Sequence, residues 1–497
     1  MAPFQDRLTF LPEAILFTIL SLIPVKEAAR TSVLAKPWRR LWLSRPNVEL
    51  NDRLFLSPLT GIDEQHPNIE QIRDANKFYQ LYYLIKVGFK WFANGAPSIS
   101  SFSLIFCDPH ICPINIENLV RHALYRHPNS LELDFSLPSW EDRLPLNNEF
   151  IERFTLPVYV YNYTFLESLK LASCRFDMNN FATIGLTLKS VFLAWIEIIN
   201  ATNLRLMLQS CPLLENLSLS KCFQAPHYDI QSDTLKTIVV DKCVDLLTLT
   251  IVAPNLVHLK YCGKVVQFGI IVSENFETAE LDFGLVEMFD LEDGEKIANL
   301  LDSLYFARSL IVDSYVVQVI SFDGVELNPL GQNRAKNLTI KTAFDESEFR
   351  GICMLLDNYP LLEEVRFEHG DHVIFREDME VDYFHVVPPL TDWAKVSPSI
   401  DGCLPNMLKV VEIVGLQATL FEMNLLPYLI TQAGVLQKLV LRAGNQMGFA
   451  YAKGVKFVLA QERKQLKVEV YSEDGVLYGP KGETKVQPKP CIINEHE

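Results

Sequence analysis

The phrase L-x-x-L-x-L-x-x-C recurs without a gap at Leu166–Cys174 (LESLKLASC), Leu214–Cys222 (LENLSLSKC) and Leu235–Cys243 (LKTIVVDKC, with Ile238 and Val240 in leucine places). Looser copies begin near Leu131, Leu188, Leu256, Arg308, Leu338 and Leu362. Residues two apart on a strand share a face, so the leucines point inward and the residues between them outward. Between copies, Asn203–Cys211 stops at Pro212 and Phe349–Tyr359 stops at Pro360, each a helix-like stretch followed by a strand. No single unit of this kind can bury its own apolar side. Copies must therefore stack on one another, with their strands side by side. Cys174, Cys222 and Cys243 close the turn after the strand as small buried side chains and read as structural thiols.

Copy spacing is irregular but falls mostly in the roughly 20–30-residue range of leucine-rich repeats. The expected fold is an α/β solenoid, a leucine-rich-repeat horseshoe with a parallel sheet, spanning 98–400. Ahead of it, a helix from about Asp74 to Phe92 carries Phe78, Leu81, Tyr82, Ile85 and Phe89 on one side and is expected to cap the first sheet edge. Glu368 to Ser399, rich in acids, His and Pro, breaks the rhythm and reads as a surface excursion. Beyond it the pattern predicts strand Leu408–Val414, helix Phe421–Gln432, strand Leu436–Leu441, helix Gly448–Gln461 and strand Leu466–Tyr471. The Pro/Lys-rich tail, 476–497, is expected to be disordered.

The N-terminal stretch is of another kind. From Pro12, Ile15, Leu16, Ile19 and Leu20 recur at the spacing of one helical face, and Pro12 and Pro24 each stand where a helix can begin. A second helix follows Pro24, and a third turn holds Trp38, Leu41 and Trp42. So small a unit cannot bury this many large apolar side chains, and its exposed face should find a partner. A signal peptide is not expected: Asp6 cancels Arg7, Pro12 and Glu13 interrupt the apolar run, and no small-x-small site follows.

This stretch resembles the F-box of plant proteins that also carry leucine-rich repeats and a C-terminal FBD segment. The matching residues are Asp6-Arg7, Leu11-Pro12, Ile15-Leu16, Ile19-Leu20-Ser21, Ile23-Pro24-Val25-Lys26, Thr31-Ser32-Val33-Leu34, Lys36, Trp38-Arg39 and Leu41-Trp42. Pro37 departs from the pattern, and either starts the third helix or shifts Trp38. Cys403-Leu404-Pro405, Leu408-Lys409, Val411-Glu412-Ile413-Val414-Gly415, Glu422, Leu425-Leu426, Tyr428-Leu429 and Val435-Leu436 resemble the FBD segment of the same family. The resemblance implies an F-box over 1–50, a linker and cap helix over 51–97, repeats over 98–400 and an FBD segment over 401–475. It further implies docking onto a Skp-type adaptor, and through it onto a cullin ubiquitin ligase.

A net charge of −16 disfavours nucleic acid and anionic membranes as partners, and no apolar run approaches the length needed to span a bilayer. Ten cysteines in 497 residues form no disulfide framework, which fits a cytoplasmic or nuclear protein. No phosphate loop, dinucleotide fingerprint or zinc-protease helix is present. Cys107, His110 and Cys112 lack the fourth ligand of a zinc site and read as a loop. Neither a cofactor nor a metal is expected, nor is a catalytic residue.

The resemblance, with which these observations agree, implies a non-catalytic substrate-recognition subunit of an SCF-type ubiquitin ligase. The adaptor is expected on Leu11, Pro12, Ile15, Leu16, Ile19, Leu20, Ile23, Pro24, Val25, Leu34 and Trp38. The protein target is expected on outward strand positions: Glu167, Ser168 and Lys170; Glu215, Asn216 and Ser218; Lys236, Thr237 and Val239; Val257, His258 and Lys260. Two alternatives stay open: a repeat scaffold that takes no part in ubiquitination, and a sensor whose protein binding depends on a small molecule.

Overall fold

The computed structural model describes residues 11–23, 25–34, 38–55, 69–140, 143–145, 153–198, 201–286, 291–321, 325–327, 333–370, 399–479 and 482–484. Pro24, Pro37, most of the acidic excursion (371–398) and the tail beyond 484 lie outside the described residues. The chain forms two compact units, Met1–Leu235 with Lys242–Leu246, and Lys236–Asp241 with Leu247–Glu497.

The first unit begins with three short helices, α1 (Glu13–Ser21), α2 (Val25–Arg30) and α3 (Trp38–Leu41). Pro12 stands one place before α1 as its N-cap, so the helix opens at Glu13. A parallel sheet follows, with strands Asn47–Asn51, Ser101–Ile105, Ser130–Asp134, Ser168–Ala172, Ser190–Ala194 and Asn216–Ser220 paired in that order. Each strand buries its second and fourth residues, as the leucine alternation requires: Leu169 and Leu171, Val191 and Leu193, Leu217 and Leu219 are all at most 1% exposed. The turn after the strand is equally regular. Ser173 and Lys221, and Lys242 at the end of Leu235–Cys243, take φ near +50°, which swings the following cysteine inward. Cys174, Cys222 and Cys243 are buried, and their thiols donate to the Leu133, Leu193 and Leu219 carbonyls (3.9, 3.5 and 3.5 Å). Burial raises the Cys174 and Cys222 thiols far above their ordinary range, which leaves them protonated and inert.

Between the first two strands lie α4 (Asp52–Phe55) and α5 (Ile69–Asn94). α5 is not the cap of a sheet edge that its sequence suggested. The edge strand is Asn47–Asn51, and α5 is the return helix between it and Ser101–Ile105. A Cβ on Gly88 would come within 2.7 Å of the inward Leu50 side chain and 2.9 Å of Leu119. This places α5 in the helical layer on the inward side of the sheet, beside α6 (Pro113–Leu124).

The second unit continues the same scheme through strands Thr237–Asp241, His258–Cys262, Thr278–Asp282, Ser309–Val312, Asn337–Thr342, Glu364–His369, Val410–Leu416, Lys438–Ala443 and Lys467–Tyr471, all parallel. Its first strands start only 21 and 20 residues apart, too few for a strand, two turns and a helix. Here the return is extended, and Thr248–Val252 pairs in parallel with Gln267–Ile271. Longer repeats return through helices held by sequence-encoded caps. Thr419 and Glu422 form a capping box on Leu420–Gln432, Asp345 and Glu348 form one just ahead of Phe349–Asn358, and Asn445 accepts from Gly448 N at 2.7 Å. The β/α units from Val410 to Tyr471 fall within a residue or two of their expected places and pair directly onto Glu364–His369. The tail expectation fails at its start, because Leu477–Gly479 and Gly482–Thr484 form an antiparallel hairpin against the last parallel strand. Each unit is thus a parallel-sheet solenoid of the leucine-rich-repeat kind, the first preceded by the small helical unit.

Candidate docking surfaces

Two surfaces offer themselves to partners, one on α1–α3 and one on the outward sheet face. On α1 the helical period sorts the apolar residues into two faces. Leu16 and Leu20 turn inward and are buried with Val25, Ala28, Trp38, Leu41 and Trp42. This small core is tied to the repeat body, since Arg45 Nη2 donates to the Ser21 carbonyl (3.3 Å) and Ala96 N donates to the Leu43 carbonyl (3.0 Å). Leu16, Leu20, Val25 and Trp38 are therefore interior residues of this chain, a correction to their expected place on the adaptor surface. Leu11, Ile19 and Ile23 are half-buried, and Pro12 is exposed. Ile15 is 46% exposed, Leu22 81%, Val33 85% and Leu34 63%. Leu22 and Val33 were not among the expected residues, although Leu22 lies seven places after Ile15 and so shares its face.

The outward sheet face is organised in rows that cross the strands. In the first unit, the first residues of the strands form a short polar row: Asn47, Ser101, Ser130, Ser168, Ser190 and Asn216. The third residues are Glu49, Ser103, Glu132, Lys170, Phe192 and Ser218. Lys170 Nζ pairs with Glu132 at 2.9 Å and lies over the Phe192 ring at 5.1 Å, while Ser103 Oγ donates to Glu132 at 2.6 Å. In the fifth row the small side chains of Ala172 and Ala194 stand side by side, and the Trp140 and Trp195 rings pack against them with centroids 4.7 Å apart. Ser168, Lys170, Asn216 and Ser218 are thus on the outward face as expected, with the Ser190–Ala194 strand between the two pairs. Glu167 and Glu215 flank the strand starts, and Glu167 pairs with Lys189 at 3.0 Å. Phe192, at the centre of this set, was missed. Aligning LKSVFL in register with its neighbours would have placed it there.

In the second unit Thr237 faces His258 and Val239 faces Lys260 across one strand pair, as expected, with Lys236 and Val257 just before the strands. Beyond them the face becomes a lattice of ion pairs. Glu280 takes Lys260 (3.4 Å) and Lys341 (3.3 Å). Nearly buried Glu412 takes Arg366 (2.9 Å) and Arg442 (2.6 Å), and Arg442 lies over the Tyr471 ring at 4.3 Å. Glu363, at the strand entry, accepts from Lys409 (2.7 Å) and Lys336 (2.9 Å), which lowers its carboxyl to about 2. These pairs join neighbouring or next-but-one repeats whose residues are far apart in sequence, so no local motif announces them.

A polar cluster around Asp52 is structural. Cys107 donates its backbone N–H (2.6 Å) and thiol (3.2 Å) to buried Asp52, and burial beside that carboxylate raises the thiol to about 12. The Cys107 thiol pins α4 to the loop after Ser101–Ile105, while His110 is exposed.

A family model described as FBD-associated F-box protein At5g56370, LRR repeats, matches residues 135–270. The putative F-box/LRR-repeat protein At5g54820 of Arabidopsis thaliana is 28% identical over 437 residues, covering 86% of this chain and 88% of its own. The putative F-box/LRR-repeat protein At1g56400 of the same plant is 29% identical over 435 residues, covering 86% of each chain. FBD-associated F-box protein At1g66310, also from Arabidopsis thaliana, is 23% identical over 454 residues, covering 88% of this chain and 89% of its own.

Proposed function

Starting from a chain similar along most of its length to Arabidopsis F-box/leucine-rich-repeat proteins, we propose a non-catalytic substrate receptor of an SCF-type ubiquitin ligase. The N-terminal helices dock a Skp-type adaptor, which joins them to a cullin. The outward sheet faces hold a protein target. The single observation that carries this reading is that α1–α3 complete a core of their own and still leave Ile15, Leu22, Val33 and Leu34 in solvent. Apolar side chains gathered in this way on so small a unit mark a protein interface. The docking set is then Leu11, Pro12, Ile15, Ile19, Leu22, Ile23, Val33 and Leu34. An interface of ordinary size, on the order of 800 Å² per partner, is expected.

The chemistry of such a receptor is proximity. A rigid sheet holding a target near a charged ubiquitin carrier raises the effective concentration of its lysines without touching the transfer itself. The nine described cysteines form no disulfide with one another, which fits a reducing compartment, cytoplasm or nucleus.

Co-purification of the full chain with a Skp-type adaptor and a cullin tests the docking half, with the Leu11→Ala/Pro12→Ala variant as comparison. Proximity labelling with and without a proteasome inhibitor tests the target half, and proteins labelled more strongly when degradation is blocked are the expected result. Equal adaptor recovery by the wild type and the variant, or labelling indifferent to the inhibitor, contradicts the reading.

A further inference from the structure

A third surface is used by neither of these. α5 buries Leu81, Leu84, Ile85, Gly88, Trp91 and Phe92 on one side. On the other it exposes Phe78, Tyr79, Tyr82, Tyr83, Lys86 and Lys90, spaced so that all six share one face of the helix. The Phe78 and Tyr82 rings are stacked (centroids 6.5 Å apart, planes 2° apart), and Lys86 Nζ lies over the Tyr82 ring at 4.6 Å. Tyr79 is three-quarters exposed. Four neighbouring aromatics in water are far from the scattered apolar residues of an ordinary surface. Tyr and Phe that sit rigid on a helix are the side chains interfaces use as anchors.

Charge gives the chemistry of the occupant. From Ala75 to Asn94 the chain carries Lys77, Lys86 and Lys90 and no carboxylate, in a protein of net charge −16. Lys77 already pairs with Asp108 at 3.8 Å, whereas among the described residues Lys86 and Lys90 have no carboxylate partner. The partner is therefore an acidic protein surface with apolar pockets for the rings. Position gives its identity within the proposed complex. Lys26 Nζ of α2 donates to the Leu54 carbonyl of α4 (2.7 Å), and α4 packs on α5, so the helix stands one turn of chain away from the docking helices. Leu54 itself is exposed. Because α5 belongs to the layer inward of the sheet, a target lying on the outward face does not meet it.

We infer that the aromatic–lysine face of α5 is a second contact for the same adaptor that docks on α1–α3, and that this contact takes an acidic, apolar-pocketed part of that adaptor. The inference rests on the receptor reading above, but the two can fail separately. Titration calorimetry of the full-length chain with a Skp-type adaptor distinguishes them. Tyr79→Ser/Tyr83→Ser is expected to weaken binding by about tenfold or more with an unchanged melting temperature, since both side chains stand in solvent. Lys86→Glu/Lys90→Glu is expected to slow association and flatten its salt dependence. If both variants bind like wild type while Ile15→Ala/Leu34→Ala does not, the second contact is wrong and the receptor reading stands. Failure of the wild type to bind overturns both. Sedimentation of the chain alone closes the remaining route: a dimer abolished by Tyr79→Ser/Tyr83→Ser assigns the face to a second copy and overturns the inference.

Discussion

Glu348 shows how a single residue can be legible in type and illegible in setting. Standing three residues after Asp345, it closes a capping box in the structure, a spacing visible in the sequence. Its surroundings come from elsewhere in the chain: Gln318 Nε2 donates to it at 2.9 Å from thirty residues away, and Thr342 Oγ1 and Ala343 N donate as well. Burial raises this carboxyl from 4.5 to about 7, against the pull of those donors. The folded state then holds a proton that the unfolded state has lost between those two values. Stability from this group is full below pH 4.5 and declines as pH rises towards 7, by up to about 1.4 kcal/mol per pH unit. Buried Asp313, raised by burial and by Asp282 to about 7, adds to the same slope. Urea unfolding between pH 5 and 7 should show the decline, and Glu348→Gln should flatten it; an unchanged slope in the variant contradicts the assignment. The cysteines were the easier case, since a small residue repeated after each strand has only the turn to serve.

At the scale of elements, the strands were legible because leucine alternation is local, while two kinds of element were not. The first strand, Asn47–Asn51, carries the short phrase NVELN with no repeat template around it, so the following helix looked like an edge cap. The extended returns of the short repeats have no helical period to betray them, and only the tight spacing hints at their form. Helix contacts were equally hidden. A Cβ on Gly351 would stand 2.0 Å from the Val317 carbonyl oxygen, because helices Ser314–Ile320 and Phe349–Asn358 touch there through backbone. Gly351→Ala is expected to lower the unfolding free energy by about 1–3 kcal/mol. Unaltered stability would mean that these helices separate at no cost. In α1 the residues that the sequence places on one face divide in the structure, Leu16 and Leu20 inward and Ile15 towards solvent. Leu20→Ala should remove about 2–5 kcal/mol of stability, measured as a drop in denaturation midpoint. Ile15→Ala on the exposed face should leave the midpoint within about 0.5 kcal/mol of wild type, and a large loss there would place Ile15 in the core instead.

At the scale of the whole molecule, a stack of repeats has almost no chemistry to display, and its function is written in what its faces leave uncovered. The outward rows of each unit are such faces. The Glu280 and Glu412 lattices satisfy most of their own charge and chiefly fix the register of neighbouring repeats, each exposed pair contributing little alone. Phe192 beside Lys170 is different, an aromatic anchor in a polar row. Phe192→Ala should reduce proximity labelling of the degraded targets while leaving adaptor binding intact, and unchanged labelling would remove the first unit's face from target capture. These faces were only half legible because a row is assembled from residues 20–40 positions apart, and its neighbours are fixed by register rather than by sequence. The helical N-terminus was legible as a separate small unit because its excess of apolar residues is compact in the chain; which of them face outward was not. The most direct measurement is the affinity of the full-length protein for a Skp-type adaptor, with Ile15→Ala/Leu34→Ala as the comparison at equal thermal stability. A saturable complex that the double variant weakens about tenfold or more is the predicted result; no complex with the wild type, or one that the variant forms equally well, contradicts it.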